Sequence, residues 1–180
     1  MILGLDISTS CTGWCIIGPS GNLIDMGSIV LSKDKTIFKK AQKVRRELSR
    51  LNIEYGIEKV CIEENLQAFR PGLSSAKTLL TLARFNGIVS YLAQEEFYFF
   101  PIFINVNTAR KALGIKIKRK KDGGKPTKDQ IVEWASGELD GFKWPTKILK
   151  SGPRKDQCIL DPVSYDMADA YVISRAGLII

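Results

Sequence analysis

The sequence predicts one α/β domain that begins with consecutive strands and continues with alternating helices and strands. The length of 180 residues suits a single domain with a full hydrophobic core, and we expect this domain to span residues 1–180. Short apolar runs bounded by turn residues indicate strands in the first third of the chain. Longer segments carry apolar side chains at three- and four-residue steps, which is typical of helices. The predicted order is βββαβαβ, followed mostly by helix.

The N-terminal part of the chain predicts three strands. Strand candidates lie at residues 1–7, 13–18 and 23–31. Residues 8–12 are rich in Ser and Thr, and residues 18–22 (GPSGN) are typical of a hairpin loop. Because short turns join these strands, we expect them to pair as an antiparallel meander.

The middle of the chain predicts two helices and two further strands. Residues 35–55 predict a charged helix and residues 73–96 predict a long helix, each with an apolar stripe. A strand at 59–63 lies between the two helices, and a fifth strand is predicted at 98–106. These four elements complete the predicted βββαβαβ order.

The last third of the chain predicts helices separated by polar segments. Helices are predicted at 108–113 and 127–137, and a terminal helix begins at Ser164. A stretch at about 115–126 contains six Lys or Arg residues and predicts a flexible basic loop. A second polar stretch lies at 150–156. Neither stretch is long or biased enough to mark a domain boundary.

The charge balance indicates a polyanionic partner. Lys and Arg outnumber Asp and Glu by 27 to 19, which gives a net charge of +8 and a pI near 9.4. A basic chain of this kind is typical of proteins that bind nucleic acid. Charge alone leaves open the alternative of a basic surface that is simply solvated.

The composition favours a cytoplasmic protein without a membrane anchor. The apolar run at 97–104 contains Pro101 and is far shorter than the roughly 20 residues of a spanning helix. No basic leader precedes the apolar start, so we expect no secretory signal. The four cysteines form no CxxC pair and the chain has no histidine. Structural zinc is therefore not expected, and a reducing compartment is the simplest setting.

Four acidic residues lie where a metal-dependent nuclease would need them. Asp6 ends the first apolar strand, and Glu63 ends the strand at 59–63. Asp166 and Asp169 are three residues apart at the start of the terminal helix, so both side chains project from one face. Two strand ends and one helix start can therefore meet at a single point.

Carboxylate oxygens are the ligands that Mg²⁺ and Mn²⁺ prefer, and four carboxylates held together repel one another unless cations neutralise them. Two such ions, about 4 Å apart, would bind the attacking and leaving oxygens of a phosphoryl displacement. The sequence thus predicts a two-metal phosphodiester nuclease that needs no histidine. The alternative is that these acids have only structural roles. Asp6 would then be a turn residue, Glu63 a charge at a strand end, and Asp166 and Asp169 would complement the dipole at a helix N-terminus.

Three segments resemble the motifs of RuvC-type Holliday junction resolvases, which are members of the RNase H-like superfamily. The first is GLD at 4–6 with TGW at 12–14, the second is IEE at 62–64, and the third is DMADA at 166–170. Each motif alone is weak. Their order, setting and spacing agree over most of the chain.

The resemblance implies an RNase H-like α/β fold with a five-stranded mixed sheet, in which three antiparallel strands are followed by parallel additions, and with helices on both faces. It also implies a homodimer that cuts two opposed strands of a four-way DNA junction symmetrically and leaves 5′-phosphate and 3′-hydroxyl ends. Asp6 would bridge two Mg²⁺ or Mn²⁺ ions, whose coordination Glu63, Asp166 and Asp169 would complete. No nucleotide cofactor is implied. We expect the long helix at 73–96 to form the dimer interface.

Basic residues supply the candidates for DNA contacts. Arg110, Lys111 and Lys128 are similar in placement to the basic residues that the family uses near the scissile phosphate, although the extended basic loop leaves the register between them open. The loop adds Lys118, Arg119, Lys120 and Lys121.

The segment after Glu63 adds two further candidates for DNA contacts. Phe69, beside Arg70, is a candidate either for stacking on an unpaired base at the junction centre or for a core position.

Glu64 and Asp161 are spare acids that would replace one of the four metal ligands if the register is off by a little.

Three other functions stay open from the sequence. The first is an RNase H-like nuclease that acts on other branched DNA or on RNA. The second is a phosphate-binding kinase of the actin-like superfamily, suggested by the turn at residues 5–10 but disfavoured because such proteins need two lobes. The third is a nucleic-acid-binding module without chemistry. A resolvase would serve chromosomal recombination in a bacterium or, if phage-encoded, branched DNA in the host cytoplasm.

Overall fold

A five-stranded mixed sheet lies at the centre of the protein. The structure is a computed structural model that describes residues 1–64 and 75–180. The strands, in chain order, are β1 Ile2–Ile7, β2 Cys11–Ile17, β3 Leu23–Val30, β4 Lys59–Glu63 and β5 Ile102–Ile104. Their order in the sheet is β3-β2-β1-β4-β5. The first three strands pair antiparallel, whereas β4 and β5 add in parallel on the other side of β1.

Five helices and a small second sheet complete the described part of the chain. The helices are α1 Ile37–Glu54, α2 Ala76–Phe97, α3 Val106–Ala112, α4 Thr127–Glu138 and α5 Val163–Ile179. Strands β6 Thr146–Ile148 and β7 Cys158–Leu160 form an antiparallel pair apart from the main sheet. The predicted α/β class, the mixed sheet and its strand directions are confirmed. In the described ranges, no helix is both long and apolar enough to cross a bilayer.

The alternating side chains of β1 build two hydrophobic cores, one on each face of the sheet. Leu3, Leu5 and Ile7 belong to the core that contains the buried residues of α1 and α2. Ile2 belongs to the opposite core, to which α3, α4 and α5 contribute. The period of two along a strand produces this division. Asp6 has the same parity as Ile2 and therefore belongs to the face that α5 covers.

Helix α5 lies unusually close to the sheet because glycines replace side chains beneath it. A Cβ atom built on Gly4 would lie 2.4 Å from the Ala170 carbonyl oxygen. A Cβ on Gly13 would lie 2.0 Å from the Asp166 carbonyl oxygen. Carbon and oxygen atoms do not approach this closely without a bond, so only glycine permits this packing. The start of α5 is thereby fixed directly over β1 and β2.

Helix α1 forms where residues 35–55 predicted an amphipathic helix, and a Thr side chain caps its N-terminus. Its buried residues recur at three- and four-residue steps: Ala41, Val44, Leu48 and Leu51. The Thr36 side chain accepts a hydrogen bond of 3.3 Å from the Lys39 backbone amide, which is the N-cap arrangement. The opposite face of α1 is rich in Lys and Arg and is exposed.

Strand β5 is much shorter than the predicted strand at 98–106. Tyr98 adopts φ 61°, in the left-handed region, and ends α2. Val106 already belongs to α3, whose first turn is capped by the Asn105 side chain. The prediction was too long because this apolar segment contains three things in succession: the end of α2, the short strand β5 and the start of α3.

The basic segment at 115–126 has more structure than the sequence indicated. Ile115 and Ile117 pack against the core on the α5 face, while Lys118 is exposed. The Gln130 side chain bonds both the amide and the carbonyl of Lys118, each at 2.9 Å. A single 3-10 turn spans Lys120–Asp122. The polar stretch at 150–156 lies between β6 and β7, two short strands that were not predicted from the sequence.

Candidate active site

The four predicted acidic residues line one cleft. Its volume is about 310 Å³. The residues that line it are Asp6, Ile7, Ser8, Ser10, Glu63, Glu64, Leu82, Lys128, Asp166 and Asp169. Residues from the two ends and the middle of the chain are thus brought together, as the strand and helix positions predicted.

The sheet register explains this convergence. Strands β1 and β4 run parallel with Leu5 opposite Ile62. The next residue of each strand is an acid, so Asp6 and Glu63 lie side by side at the same edge of the sheet. On the other side of β1, Gly13 is opposite Asp6. Because the Asp166 backbone lies directly over Gly13, the first turns of α5 bring the helical acids beside the strand acids.

Three carboxyl groups of the cleft have a raised pKa. Burial raises the pKa of Asp6 well above its usual range, and the neighbouring carboxylates raise it further. Burial and the charge of Asp169 raise the pKa of Glu63 to about 7. The pKa of Asp169 is also raised, mainly by burial. Buried acids that repel one another are expected to bind protons or cations.

Two cationic side chains counter this accumulation of negative charge. The Lys128 Nζ atom lies 3.4 Å from Asp166 Oδ1, and the Arg110 Nη2 atom lies 3.9 Å from Asp169 Oδ1. The Arg110 and Asp169 side chains are only 21% and 13% exposed, so their contact is poorly screened by water, whereas Lys128 is 58% exposed. Both cations lower the pKa of Glu63.

The carboxylates have the right chemistry for Mg²⁺ or Mn²⁺, because all four supply hard oxygen donors. Their side chains point to other partners: Asp6 is hydrogen-bonded to Glu63, and the two helical acids face Lys128 and Arg110. Within residues 1–64 and 75–180, no three His, Cys, Asp or Glu side chains are gathered around a common ion position. Chelation therefore requires side-chain rotation inside the cleft.

The two spare acids have different environments. Glu64 lines the cleft, and the Asn105 amide donates a bond of 3.4 Å to its carboxylate. Asp161 does not line the cleft. Its carboxylate accepts a bond of 3.1 Å from the Val163 backbone amide at the start of α5. The position of Asp161 before the helix explains this local role.

Sequence reasoning missed four residues that line the cleft, Ile7, Ser8, Ser10 and Leu82. The two serines belong to the turn between β1 and β2, directly after Asp6 in the chain. The Ser8 hydroxyl group donates a bond of 2.7 Å to the Cys11 carbonyl, which fixes the turn. The Ser-rich composition of residues 8–10 next to a candidate ligand was the available signal.

The predicted DNA-binding residues within the described part of the chain fall into three groups, and two further residues lie outside it. Arg110 and Lys111 line a groove of about 550 Å³ together with Lys116, Arg119 and Thr127. Lys118, Lys120 and Lys121 are exposed but do not line this groove, whereas Lys128 lines the acidic cleft. Phe69 and Arg70 lie outside the described residues.

The fold is shared with solved Holliday junction resolvases. The structure of RuvC from Thermus thermophilus in complex with Holliday junction substrate superposes with a TM-score of 0.62 at 15% identity, covering 97% of this chain and 90% of the other. The yeast mitochondrial Holliday junction resolvase superposes with a TM-score of 0.59 at 16% identity, covering 98% of this chain and 77% of the other. The fold is therefore of the RNase H-like α/β class.

Sequence comparison points to one group within that class. The crossover junction endodeoxyribonuclease RuvC of Aliarcobacter butzleri is 29% identical over 134 residues, which are 73% of this chain and 78% of the relative. RuvC of Ehrlichia ruminantium is 34% identical over 89 residues, 46% of this chain and 54% of that relative. No protein-family model matches the chain. The chain is thus similar in sequence to RuvC proteins and shares the fold of solved Holliday junction resolvases, which agrees with the resemblance of its motifs.

Proposed function

We propose that this protein is a metal-dependent endonuclease that resolves four-way DNA junctions by cutting two opposed strands symmetrically. Its curated relatives are named crossover junction endodeoxyribonucleases, and a relative of the same fold was solved with Holliday junction substrate. The observation that carries the proposal is the cleft in which carboxylates from β1, β4 and α5 meet. A binding module without chemistry would gain nothing from four carboxylates facing the phosphates it must hold.

The carboxylates of this cleft are the proposed ligands of two Mg²⁺ or Mn²⁺ ions. The raised pKa values of Asp6 and Glu63 mean that ionising this cleft costs free energy, which bound cations would offset. When bound, such ions would supply an activated water and neutralise charge on the leaving oxygen. For this, Asp166 and Asp169 would turn from their present cationic partners toward the strand carboxylates.

The cationic and hydroxyl groups of the cleft are the proposed phosphate contacts. Lys128 is 58% exposed and its ammonium group is 3.4 Å from Asp166, so it can turn to a phosphate oxygen without crossing the core. The hydroxyl groups of Ser8 and Ser10 line the same cleft and can donate to non-bridging oxygens. These groups would hold the scissile phosphate over the carboxylates, for cleavage that leaves 5′-phosphate and 3′-hydroxyl ends.

Symmetric cutting of two strands implies a homodimer, and α2 with β5 is the proposed interface. Leu80 and Tyr91 are 69% and 58% exposed and lie eleven residues apart, three turns along one face of α2. On the edge strand β5, Ile102 and Phe103 are 41% and 51% exposed on opposite faces of the sheet. Large exposed apolar side chains, here on two consecutive elements of the chain, are typical of subunit contacts.

A bacterial cytoplasm, or that of a phage-infected host, is the compartment in which we expect the protein to act, because branched DNA forms there. The groove lined by Arg110, Lys111, Lys116 and Arg119 would contact the DNA backbone beside the cleft. Such contacts release counterions, so binding should weaken steeply as salt is raised.

Cleavage of synthetic substrates tests the proposal. Wild-type protein is expected to cut a mobile four-way junction into two nicked duplexes with Mg²⁺ or Mn²⁺ and to leave it intact with EDTA. Asp6→Asn is expected to bind the junction without cutting it, because the variant loses a charged ligand while keeping its shape. Equal rates on junction and linear duplex would contradict junction resolution. Preferential cleavage of a flap or an RNA–DNA hybrid would favour the other nuclease functions.

A further inference from the structure

Positive charge is concentrated in two segments on opposite faces of the sheet. Residues 110–128 include Arg110 and Lys128, which contact the acids of the cleft. Residues 33–50 contain eight Lys or Arg and two acidic residues, a net charge of +6 within a chain whose total is +8. The first segment lies on the α5 face, whereas α1 packs on the other face. The function proposed above uses the first segment and leaves the second unexplained.

The basic side chains of the second segment project into solvent from α1 and from the turn that precedes it. Lys33, Lys35, Lys39 and Arg46 are exposed, and no ion pair of theirs occurs within the described parts of the chain. We call these four side chains the α1 basic face. Lys39 and Arg46 are seven residues apart on one face of α1, roughly 10 Å at helical rise, a length over which duplex DNA presents about six phosphate charges. The spacing suits contacts to several phosphates of one duplex.

The N-terminal end of α1 adjoins the mouth of the acidic cleft. The Lys40 ammonium group donates a hydrogen bond to the Thr9 carbonyl in the turn between β1 and β2. Ser8 and Ser10, on either side of Thr9, line the cleft. A nucleic acid that leaves the cleft over this turn therefore meets the α1 basic face first.

A groove beside α1 continues this basic surface along the edge of the sheet. It has a volume of about 560 Å³ and runs between β3 and α1. Its cationic lining residues are Lys43, Arg46 and Arg50. Glu47 and Glu54 neutralise Arg50, whereas Arg46 has no such partner among the described residues. The free cation at this groove faces solvent at the open edge of β3.

We infer that the α1 basic face binds a duplex arm of the branched DNA substrate, on the side of the cleft opposite to the groove lined by Arg110 and Lys111. This inference rests on the proposed function and adds a second arm contact to it. A duplex suits this surface better than a protein partner does, because the centres of protein interfaces are depleted of Lys, whereas phosphate contacts use Lys and Arg. DNA crossing the cleft would then touch both faces of the sheet.

The test removes the four charges and measures junction binding in EDTA, where no cleavage occurs. The variant Lys33→Gln, Lys35→Gln, Lys39→Gln, Arg46→Gln is compared with wild type on a four-way junction with long arms. The slope of log K against log salt is expected to fall in magnitude by about 2 to 4, because each lost phosphate contact removes about 0.9. Affinity at about 0.1 M salt is expected to fall roughly tenfold or more.

Two controls separate an arm contact from net charge and from misfolding. The variant Lys143→Gln, Lys150→Gln, Arg154→Gln, Lys155→Gln removes the same charges from exposed positions at the β6–β7 pair. The slope of log K against log salt for this variant is expected to differ from that of wild type by less than about 0.9, the value of one phosphate contact. Exchanging Lys for Arg and Arg for Lys at the α1 positions keeps the charge and is expected to keep the slope as well.

Arm length supplies the decisive comparison. On a junction whose arms are too short to reach α1, wild type and the glutamine variant are expected to bind equally. An unchanged slope on long arms, an equal loss in the control from the β6–β7 pair, or an equal loss on short arms would each overturn the inference. If wild type itself neither prefers nor cuts the junction, the proposed function fails instead, so the two failures are distinguishable.

Discussion

Replacing Gly13 by alanine tests whether the close approach of α5 creates the acidic cleft. The added Cβ atom would lie 2.0 Å from the Asp166 carbonyl oxygen and 3.0 Å from the Met167 amide nitrogen. Non-bonded carbon and oxygen atoms rarely approach closer than about 3.3 Å. The start of α5 must therefore move outward by about 1 Å, carrying Asp166 and Asp169 away from Asp6.

The expected cost appears in both stability and activity. Overpacking of this kind destabilises a protein by about 1–3 kcal/mol, or more where backbone must move. A displacement of about 1 Å in a catalytic group reduces the rate roughly 100-fold. Thermal unfolding measures the first effect, and single-turnover cleavage of a four-way junction at a temperature where the variant is folded measures the second.

Gly137→Ala is the matched control. Gly137 lies within α4, and a Cβ atom there would meet nothing within 4 Å. Alanine is a better helix former than glycine, so this variant is expected to gain up to about 1 kcal/mol and to cut at the wild-type rate. A Gly13→Ala variant with wild-type stability and a wild-type cleavage rate would refute the proposed role of this contact.

Three further predictions follow from the site and its surroundings. In EDTA, the free energy of unfolding should fall as pH rises from about 5 to 8, because folded Glu63 keeps its proton to a pKa of about 7 while the unfolded carboxyl loses it near 4.5. Glu63 contributes at most about 3 kcal/mol to this fall, and Glu63→Gln should make the profile flatter, which thermal scans across pH measure. Lys128→Met should reduce single-turnover cleavage roughly 100-fold, with Lys128→Arg recovering part of the rate; a Met variant with full activity would exclude a phosphate contact. Tyr91→Lys should shift the mass measured by light scattering from that of a dimer, twice 20.1 kDa, toward that of a monomer. The control Ile53→Lys, at an 87% exposed position on α1, should leave the mass unchanged. A dimer that survives Tyr91→Lys would exclude α2 as the interface.

The first four strands and helix α1 were predictable because each shows a local pattern in the sequence. Strands β1 to β4 follow from apolar runs bounded by turn residues, and helix α1 follows from a clear period of 3.6. The positions of the acids follow from where these elements end. The resemblance to RuvC-type resolvases is confirmed by the curated relatives and the shared fold. The clustering of acids was predictable because Asp6 and Glu63 end adjacent strands.

Other features were not predictable because they depend on contacts between distant segments. Strands β6 and β7 contain three residues each, too few for any period to be recognised. The pairing of Arg110 with Asp169 joins two helices far apart in sequence. The glycines beneath α5 were recognised as motif residues, but their role appears only when the helix is seen directly above them.

The central claim is that the acidic cleft binds divalent cations, and titration with Mn²⁺ tests it without any assay of activity. Wild type is expected to bind Mn²⁺, and Asp6→Asn to lose most of that binding. Asp161→Asn is the control, because Asp161 lies at the start of α5 outside the cleft and Asn can still accept the bond from Val163. Wild-type Mn²⁺ affinity in Asp6→Asn, or an equal loss in Asp161→Asn, would contradict the account.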